Sequence, residues 1–215
     1  MITLFYSYLD SANHYRLMEK YAPILSLSEQ SRISKFHDWK DAQATLIGKI
    51  LINKVIEDLG INKEDSKILY NDYGKPFFQK SQFHFNISHS GNVVVCAFGD
   101  EEIGVDIEEI REVDFDLFKS CFTLQEWCEI QSSRDKCLKF YDLWTKKEAA
   151  IKLVGKGFAL SPDSFDVSKN RTIIEDKIAH FIKIDLNSNY LCHLASHAIS
   201  TNTTNIKTIF VNDFL

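Results

Sequence analysis

The stretch Ile103–Ile110, IGVDIEEI, has the alternation of a strand that is buried on one face. Its residues divide into an apolar side and a side with a glycine and two carboxylates: Ile103, Val105 and Ile107 against Gly104, Asp106 and Glu108. Two carboxylates side by side repel each other unless a positive group lies between them. A solvated outer face is the simpler interpretation of such a pair, and other parts of the chain must decide between that and a ligand site.

The chain has the composition of an ordinary globular protein. Of its 215 residues, 45% are hydrophobic and 26% are charged, which excludes disorder. The formal net charge of −5 provides no basic field for nucleic acid binding. A local cationic pocket for a phosphorylated small molecule remains compatible with this balance.

Several features indicate a cytoplasmic protein. The N-terminal stretch MITLFYSYLD has no positively charged segment and reaches Asp10 too early for a signal peptide. The five cysteines form no CxxC pair, so we expect them to be reduced and packed. We do not expect His193 and His197 to share a zinc ion, because on the strand predicted there their side chains stand roughly 13 Å apart.

Hydrophobic patterning predicts an α+β fold whose two halves meet near residue 103. Strands are predicted at residues 2–9, 83–88, 92–99, 103–108, 164–168, 179–186, 190–198 and 207–214. Helices are predicted at residues 25–36, 41–60, 115–130 and 139–157, the first with Ser28 as its candidate N-cap. The stretch NDYGKPFF at residues 71–78 has turn chemistry, and no internal repeat is strong enough to prove a duplication.

Three short motifs carry polar chemistry, and each has a plain structural interpretation when taken alone. Trp144, Glu148 and Lys152 recur at intervals of four on one helix edge, where a Glu–Lys pair contributes only about 0.2–0.5 kcal/mol. The stretch NISHSG at residues 86–91 ends a strand, and the stretch YGKP at residues 73–76 is a tight turn that presents a lysine. Their order and spacing are more specific than any one of them.

The arrangement YGKP, FNISHSG, GVDIE and LWTKKEAAIKLVGKGF resembles the Sfp-type 4′-phosphopantetheinyl transferases from about Ser26 to Phe165. The signature pair, G-[IV]-D-[IV]-E and then W-x-x-K-E-A-x-x-K some forty residues later, is present in full. The resemblance implies two similar α/β subdomains in a pseudo-twofold arrangement, with the active site in the cleft between them. Residues 1–103 would bind coenzyme A, and residues 104–215 would bind Mg²⁺, catalyse the reaction and dock the carrier protein.

The resemblance also implies the ligand contacts. Asp106, Glu108 and Glu148 would hold Mg²⁺, which would cancel the repulsion between the paired carboxylates. The contacts to coenzyme A would be as follows: Arg32 and Thr45 at the 3′-phosphate, Lys75 on the adenine side, Ser88 and His89 at the phosphates, and Lys152 at the pyrophosphate. At Glu29 this chain departs from a member of the family that has a basic residue there; the 3′-phosphate would then be bound by fewer cations or by Lys35.

The activity implied is the transfer of 4′-phosphopantetheine from coenzyme A to a serine of an apo acyl or peptidyl carrier protein, with adenosine 3′,5′-bisphosphate as the second product. The enzyme would be a Mg²⁺-dependent monomer of the holo-[acyl-carrier-protein] synthase type, serving antibiotic or lipid biosynthesis. Glu148 would be the general base, directly or through water, with Glu126 as a more distant candidate, and Lys152 would assist the leaving group.

A carrier-docking patch and two rival functions complete the expectations. The candidate patch is the stretch FDLFKSCF, with Phe115, Leu117, Phe118 and Phe122. The rivals are a Mg²⁺-dependent transferase acting on another nucleotide diphosphate, and a non-enzymatic module that binds coenzyme A or a carrier protein. A degenerate binder is expected to lack at least one of Asp106, Glu108, Glu148 or Lys152, and all four are present. The sequence does not indicate which carrier is modified.

Overall fold

A computed structural model describes residues 2–58, 60–62, 65–197 and 206–211 as a mixed α/β protein. In these ranges the α-helices are α1 (His14–Tyr21), α2 (Leu27–Ile33), α3 (Trp39–Asp58), α4 (Leu124–Ser132) and α5 (Lys136–Val154). The strands are β1 (Ile2–Tyr8), β2 (Ile68–Tyr70), β3 (Pro76–Phe78), β4 (His84–Ser90), β5 (Val93–Gly99), β6 (Ile103–Glu109), β7 (Arg171–Ile174), β8 (Lys177–Lys183), β9 (Tyr190–Ser196) and β10 (Ile206–Phe210). No helix in this part of the chain is long and apolar enough to cross a membrane.

The first sheet has the strand order β10-β1-β5-β4 and carries the long helix α3. β10 runs parallel to β1, and the other neighbours are antiparallel. Apolar residues of α3 such as Leu46, Ile47 and Leu51 are fully buried in the core that this helix shares with the sheet. β10 comes from the C-terminal end of the chain but pairs with β1 in the first sheet. The sequence analysis had assigned this segment, with the rest of residues 104–215, to the second half.

The second sheet has the antiparallel order β6-β9-β8-β7 and carries α5. The helix lies so close to β6 that a Cβ atom on Gly104 would stand 2.0 Å from the carbonyl oxygen of Ala149. Any side chain at this position would push the helix away. The glycine beside the two carboxylates therefore makes room for the α5 backbone.

The two sheets meet where β4 runs beside the free edge of β6. Side-chain oxygens of β4 accept hydrogen bonds from backbone N–H groups of β6: Asn86 from Val105 at 2.9 Å, Ser88 from Ile107 at 3.4 Å and Ser90 from Glu109 at 3.1 Å. Polar side chains thus satisfy donors that a neighbouring strand would otherwise satisfy. We call this contact the β4–β6 junction; a shared apolar cluster that includes Leu4, Val95 and Val105 lies across it.

Most of the predicted helices and strands are confirmed, with three local errors. The helix predicted at 115–130 is broken: residues 115–121 form a 3₁₀ turn and α4 begins after Thr123, which makes a capping box with Glu126. The strand predicted at 164–168 is absent from the described chain, where residues 162–164 form a 3₁₀ turn. The N-cap of α2 is Ser26 rather than Ser28, again with a capping box, to Glu29. Predicted residues 59, 198 and 212–214 lie outside the described ranges.

Candidate active site

The carboxyl groups of Asp106 and Glu108 on β6 lie near enough to Glu148 on α5 for their charges to act on it. Asp106 and Glu108 are two residues apart, on the face of β6 that carries Gly104 and the helix. Asp106 is 3% exposed. Its Oδ2 atom and the Oε1 atom of Glu148 are buried without a hydrogen-bond partner among the described residues. Buried oxygens of this kind are costly unless something positive or polar contacts them, so the cluster is suited to a ligand.

Burial and mutual repulsion raise the pKa of all three carboxyl groups. For Glu148, burial and then the charge of Asp106 raise the pKa to about 7. For Glu108, the same two causes raise the pKa above its usual range. Burial also raises the pKa of Asp106, although the neighbouring Lys152 ammonium opposes the shift. The site therefore favours proton uptake or the binding of a cation.

Lys152 links α5 to the junction through Asp106 and Ser88. Its Nζ atom lies 2.7 Å from Asp106 Oδ1 and donates to Ser88 Oγ at 2.8 Å. The Ser88 hydroxyl in turn donates to Asp106 Oδ1 at 2.9 Å. The Lys152 side chain is 29% exposed whereas the Asp106 side chain is 4% exposed, so the ammonium is held by a buried anion and still faces solvent.

Glu108 is oriented by two residues to which the sequence analysis gave no role at the site. The hydroxyl of Ser90 donates to Glu108 Oε2 at 2.7 Å. The side chain of Trp144 lies close enough to Glu108 to lower the pKa of its carboxyl group slightly, and the Trp144 ring stacks on Phe140 with 6.1 Å between the ring centroids. The period-two run of polar residues at 86, 88 and 90 was the available sequence signal for Ser90.

The turn at residues 71–75 is attached to the C-terminal end of α5. Lys75 Nζ donates to the Leu153 carbonyl at 2.9 Å, and Asn71 Nδ2 donates to the Gly155 carbonyl at 2.8 Å. Gly155 ends the helix at φ +74°, which favours glycine. A cavity of about 310 Å³, which we call the α5 cavity, lies beside this contact. Its lining includes Tyr73, Lys75, Glu148, Lys152 and Phe158.

His89 differs from its neighbour Ser88 in exposure. Ser88 is buried at the junction, whereas His89 is exposed on the other face of β4. The charges that act on the His89 imidazole include those of Asp41 and Lys152. His89 is therefore placed at the edge of the site rather than inside the carboxylate cluster.

Arg32 and Thr45 line a second cleft, between α2 and α3. This α2–α3 cleft has a volume of about 530 Å³ and is also lined by Ser26, Glu29 and Lys49. Lys49 is one helical turn after Thr45 and pairs with Glu29 at 2.7 Å. Lys35, the alternative cation of the sequence analysis, is exposed and is not part of the lining. The structure thus brings Arg32 and Thr45 together with a cation that the sequence analysis missed.

Glu126 is unsuited to the role of base. Its carboxylate is 0% exposed and lies 2.8 Å from Lys147 Nζ, which is also 0% exposed. Glu126 Oε1 accepts from the Val167 N–H, and Lys147 donates to the carbonyls of Pro162 and Phe165. The pair therefore anchors the segment at residues 162–167, and Lys147 has a structural role in its motif.

The predicted carrier-docking patch packs largely against the core. Phe122 is 5% exposed, and the rings of Phe115 and Phe118 contact Phe140 with centroids 5.2 Å and 5.5 Å away. Leu117 is 75% exposed and is the patch residue that faces solvent. Three of the four residues named from the sequence therefore pack inward, because they surround the aromatic face of α5.

The carboxylates do not form a ready-made metal centre. In the described part of the chain, no group of three or more His, Cys, Asp or Glu side chains is arranged to hold a metal ion. Asp106 Oδ1 is already occupied by Lys152 and Ser88. The donor chemistry is nevertheless that of a hard cation, because two buried carboxylate oxygens, on Asp106 and Glu148, lack partners among the described residues.

The fold and the two clefts define a mixed α/β protein whose site is suited to a phosphate-bearing ligand. Residues 102–201 match the family model of the 4′-phosphopantetheinyl transferase superfamily, and residues 14–100 match that of the N-terminal part of 4′-phosphopantetheinyl transferases. The chain therefore belongs to the 4′-phosphopantetheinyl transferase superfamily.

Curated relatives agree with this assignment. The chain is 38% identical over 151 residues to 4′-phosphopantetheinyl transferase gsp of Aneurinibacillus migulanus, covering 69% of this chain and 63% of that relative, which is less than two thirds of its length. It is 34% identical over 164 residues to 4′-phosphopantetheinyl transferase Sfp of Bacillus subtilis strain 168, covering 74% and 73%. It is 36% identical over 161 residues to the L-aminoadipate-semialdehyde dehydrogenase-phosphopantetheinyl transferase of Mus musculus, covering 65% and 52%.

Proposed function

We propose that this protein transfers the 4′-phosphopantetheine group of coenzyme A to a serine of an apo acyl or peptidyl carrier protein. The products are the holo-carrier and adenosine 3′,5′-bisphosphate, as in a synthase of the holo-[acyl-carrier-protein] type. The observation that carries the proposal is the buried cluster of Asp106, Ser88 and Lys152 beside Glu148, in a chain of this superfamily. A monomeric cytoplasmic enzyme of antibiotic or lipid biosynthesis is the form we expect.

We propose that Asp106, Glu108 and Glu148 bind Mg²⁺. This assignment is supported by the hard oxygen ligands, by the two oxygens that lack partners among the described residues, and by the raised carboxyl pKa values. Because the three carboxylates do not converge in the described structure, binding must reorient at least one of them. When bound, the ion would neutralise charge on the pyrophosphate of coenzyme A.

The acid–base chemistry is assigned to Glu148 and Lys152. Glu148 accepts the proton of the carrier serine, directly or through a water; the water-mediated path is favoured, because a carboxylate that binds a metal ion is a weak base. Lys152, fixed by Asp106 and Ser88, places its ammonium beside the pyrophosphate and stabilises the leaving phosphate oxygen. Phosphoryl transfer needs mainly such positioning and charge.

In this proposal the two halves of the chain have different functions. Residues 1–103 bind coenzyme A and residues 104–215 provide catalysis and carrier docking, in two subdomains related by a pseudo-twofold axis. Arg32 and Thr45 contact the 3′-phosphate in the α2–α3 cleft, and Lys75 belongs to the turn on the adenine side. Ser88 and His89 contact the phosphates. The carrier docks on the second half near Leu117.

The proposal is tested by incubating the protein with coenzyme A, Mg²⁺ and a panel of apo-carriers, followed by intact-mass measurement. Addition of one phosphopantetheine group to a serine of at least one carrier is expected. Glu148→Gln is the matched negative control. Tight coenzyme A binding with no transfer to any carrier favours a binding module instead, and transfer from a different nucleotide diphosphate favours another transferase.

A further inference from the structure

An ion pair joins α2 to α3 inside the α2–α3 cleft. Lys49 Nζ lies 2.7 Å from Glu29 Oε1, and the two side chains are only 16% and 29% exposed. The other carboxylate oxygen of Glu29 accepts from the backbone N–H of Ser26 at 3.0 Å and from its hydroxyl at 2.8 Å. Glu29 is therefore fixed by the capping box, and it fixes Lys49 in turn.

Lys49 has a donor to spare for a ligand in this cleft. An ammonium group has three N–H donors. One contacts Glu29, and a second reaches the Tyr70 hydroxyl at 3.5 Å. Among the described residues no partner contacts the third, and Lys49 lines the cleft together with Thr45, one turn earlier on the same helix.

The charges of the lining favour an anion. Arg32 and Lys49 contribute two positive charges against the one negative charge of Glu29. In the described part of the chain no carboxylate forms an ion pair with Arg32, so its guanidinium retains its capacity for a phosphate. Thr45 adds a hydroxyl to the same lining.

We infer that Lys49 is a specificity-determining residue, which binds the 3′-phosphate of coenzyme A together with Arg32 and Thr45. Glu29 is a positioning residue that holds the Lys49 ammonium in place. The cation that is absent at position 29 is thus supplied by Lys49 from the facing helix. This inference rests on the proposed function and adds to it a residue that the signature motifs do not contain.

The test compares the affinities of adenosine 3′,5′-bisphosphate and adenosine 5′-monophosphate by calorimetry. Their ratio isolates the contribution of the 3′-phosphate. Lys49→Gln is expected to lower the ratio about tenfold or more, since it removes a charge-assisted contact, and to leave the affinity for the monophosphate nearly unchanged. Lys54→Gln is the control, because Lys54 is on the same helix in an exposed pair with Asp58 outside the cleft.

A charge exchange tests the pairing of the two positions. Lys49→Asp is expected to abolish the preference for the bisphosphate, and the double variant Glu29→Lys with Lys49→Asp is expected to restore most of it. A purely structural role for Glu29 would give no such rescue. Thermal unfolding of each variant checks that the fold persists.

The outcomes separate this inference from the proposed function. An unchanged ratio in Lys49→Gln, equal to that of Lys54→Gln, overturns the inference while carrier modification still supports the function. An unmodified protein that binds both nucleotides equally overturns the inference and also the assignment of the cleft. Absence of carrier modification with a Lys49-dependent ratio rejects the transferase but leaves Lys49 as a phosphate contact.

Discussion

The Ser88 hydroxyl donates to Asp106 Oδ1 at 2.9 Å across the β4–β6 junction. Ser88 Oγ also accepts hydrogen bonds from Lys152 Nζ at 2.8 Å and from the Ile107 N–H at 3.4 Å. One hydroxyl thereby uses its donor and both acceptor positions on three different partners. Ser88 connects the first sheet, the second sheet and α5 at the point where the carboxylates lie.

Loss of this hydroxyl should weaken both the fold and the site. Ser88→Ala leaves a buried Asp106 oxygen and a backbone N–H each short of one partner, which costs about 1–3 kcal/mol of the free energy of unfolding. Urea denaturation measures the loss. Ser132→Ala, at an exposed helix end, is the control. Equal stability of the two variants would show that the junction does not depend on Ser88.

Glu148→Gln should stabilise the metal-free protein at alkaline pH. The folded-state pKa of Glu148 is raised from 4.5 to about 7, so the folded protein retains a proton that the unfolded chain releases between these values. As pH rises through this window, the ionised Glu148 lowers the free energy of unfolding. The shift corresponds to a maximum of roughly 3 kcal/mol, and solvent screening of this partly exposed group reduces that to about 1–2 kcal/mol.

The measurement is denaturation with a chelator present at pH 5 and pH 8. The advantage of Glu148→Gln over the unmodified protein is expected at pH 8 and should shrink at pH 5. Glu101→Gln, at an exposed turn, controls for the loss of a surface charge. A pH-independent difference would mean that Glu148 is not destabilised by burial.

Mg²⁺ should raise the unfolding temperature of the unmodified protein, because a ligand of the folded state stabilises it by mass action. Asp106→Asn and Glu148→Gln should each lose this increment, and their transfer rates should fall on the order of hundreds-fold or more. Thermal scans against Mg²⁺ concentration provide a readout that does not depend on activity. An increment that persists in both variants would place the ion elsewhere.

His193 should make the fold less stable in acid. The imidazole is 1% exposed on β9, hydrogen-bonds Thr145 at 2.7 Å, and has its pKa lowered to about 4, chiefly by burial. Between pH 4 and the usual value of 6.5 the unfolded chain binds a proton that the folded protein does not, so the free energy of unfolding falls as pH is lowered.

The contribution of His193 across this window is on the order of 3 kcal/mol. Since the carboxyl groups of the site titrate in the opposite sense, the comparison is made between His193→Gln and the unmodified protein. The variant should lose the acid-side decrease that His193 causes, whereas His37→Gln, at an exposed position, should keep it. Parallel stability curves for all three proteins would contradict the prediction.

Glu126→Gln should damage stability rather than catalysis. It leaves the Lys147 charge buried without a counter-ion, which costs about 3–5 kcal/mol. The rate constant of the folded fraction, measured at low temperature, should stay near that of the unmodified protein. Replacing both partners, with Lys147→Met as the second change, should recover part of the lost stability. A strongly lowered rate constant in a fully folded Glu126→Gln variant would support Glu126 as the general base.

Local sequence patterns placed two pairs of charged residues on one strand face and one helix edge, whereas the resemblance to the family implied that the two pairs belong to one site. Asp106 and Glu108 follow from strand alternation, and Glu148 and Lys152 from helical spacing, because each pair is close in sequence. The hydrogen bonds of Lys152 to Asp106 and Ser88 join residues 46 and 64 positions apart, and no periodicity contains that information.

The errors have local physical causes. The capping box of Thr123 and Glu126 was visible in the sequence, but the continuous aromatic pattern of residues 115–130 favoured one helix. That pattern arose because Phe122 packs on the face of α5. Lys49 was missed because its importance depends on Glu29, which faces it from another helix.

The β4–β6 junction also bears on how such a chain can change over generations. Asn86, Ser88 and Ser90 close the contact between the sheets, and two of these three also orient the carboxylates. A substitution at either serine is therefore exposed to selection for folding and for chemistry at once. We expect these positions to vary less among related chains than their burial alone would require. A substitution at either serine should be tolerated only together with a compensating substitution on β6.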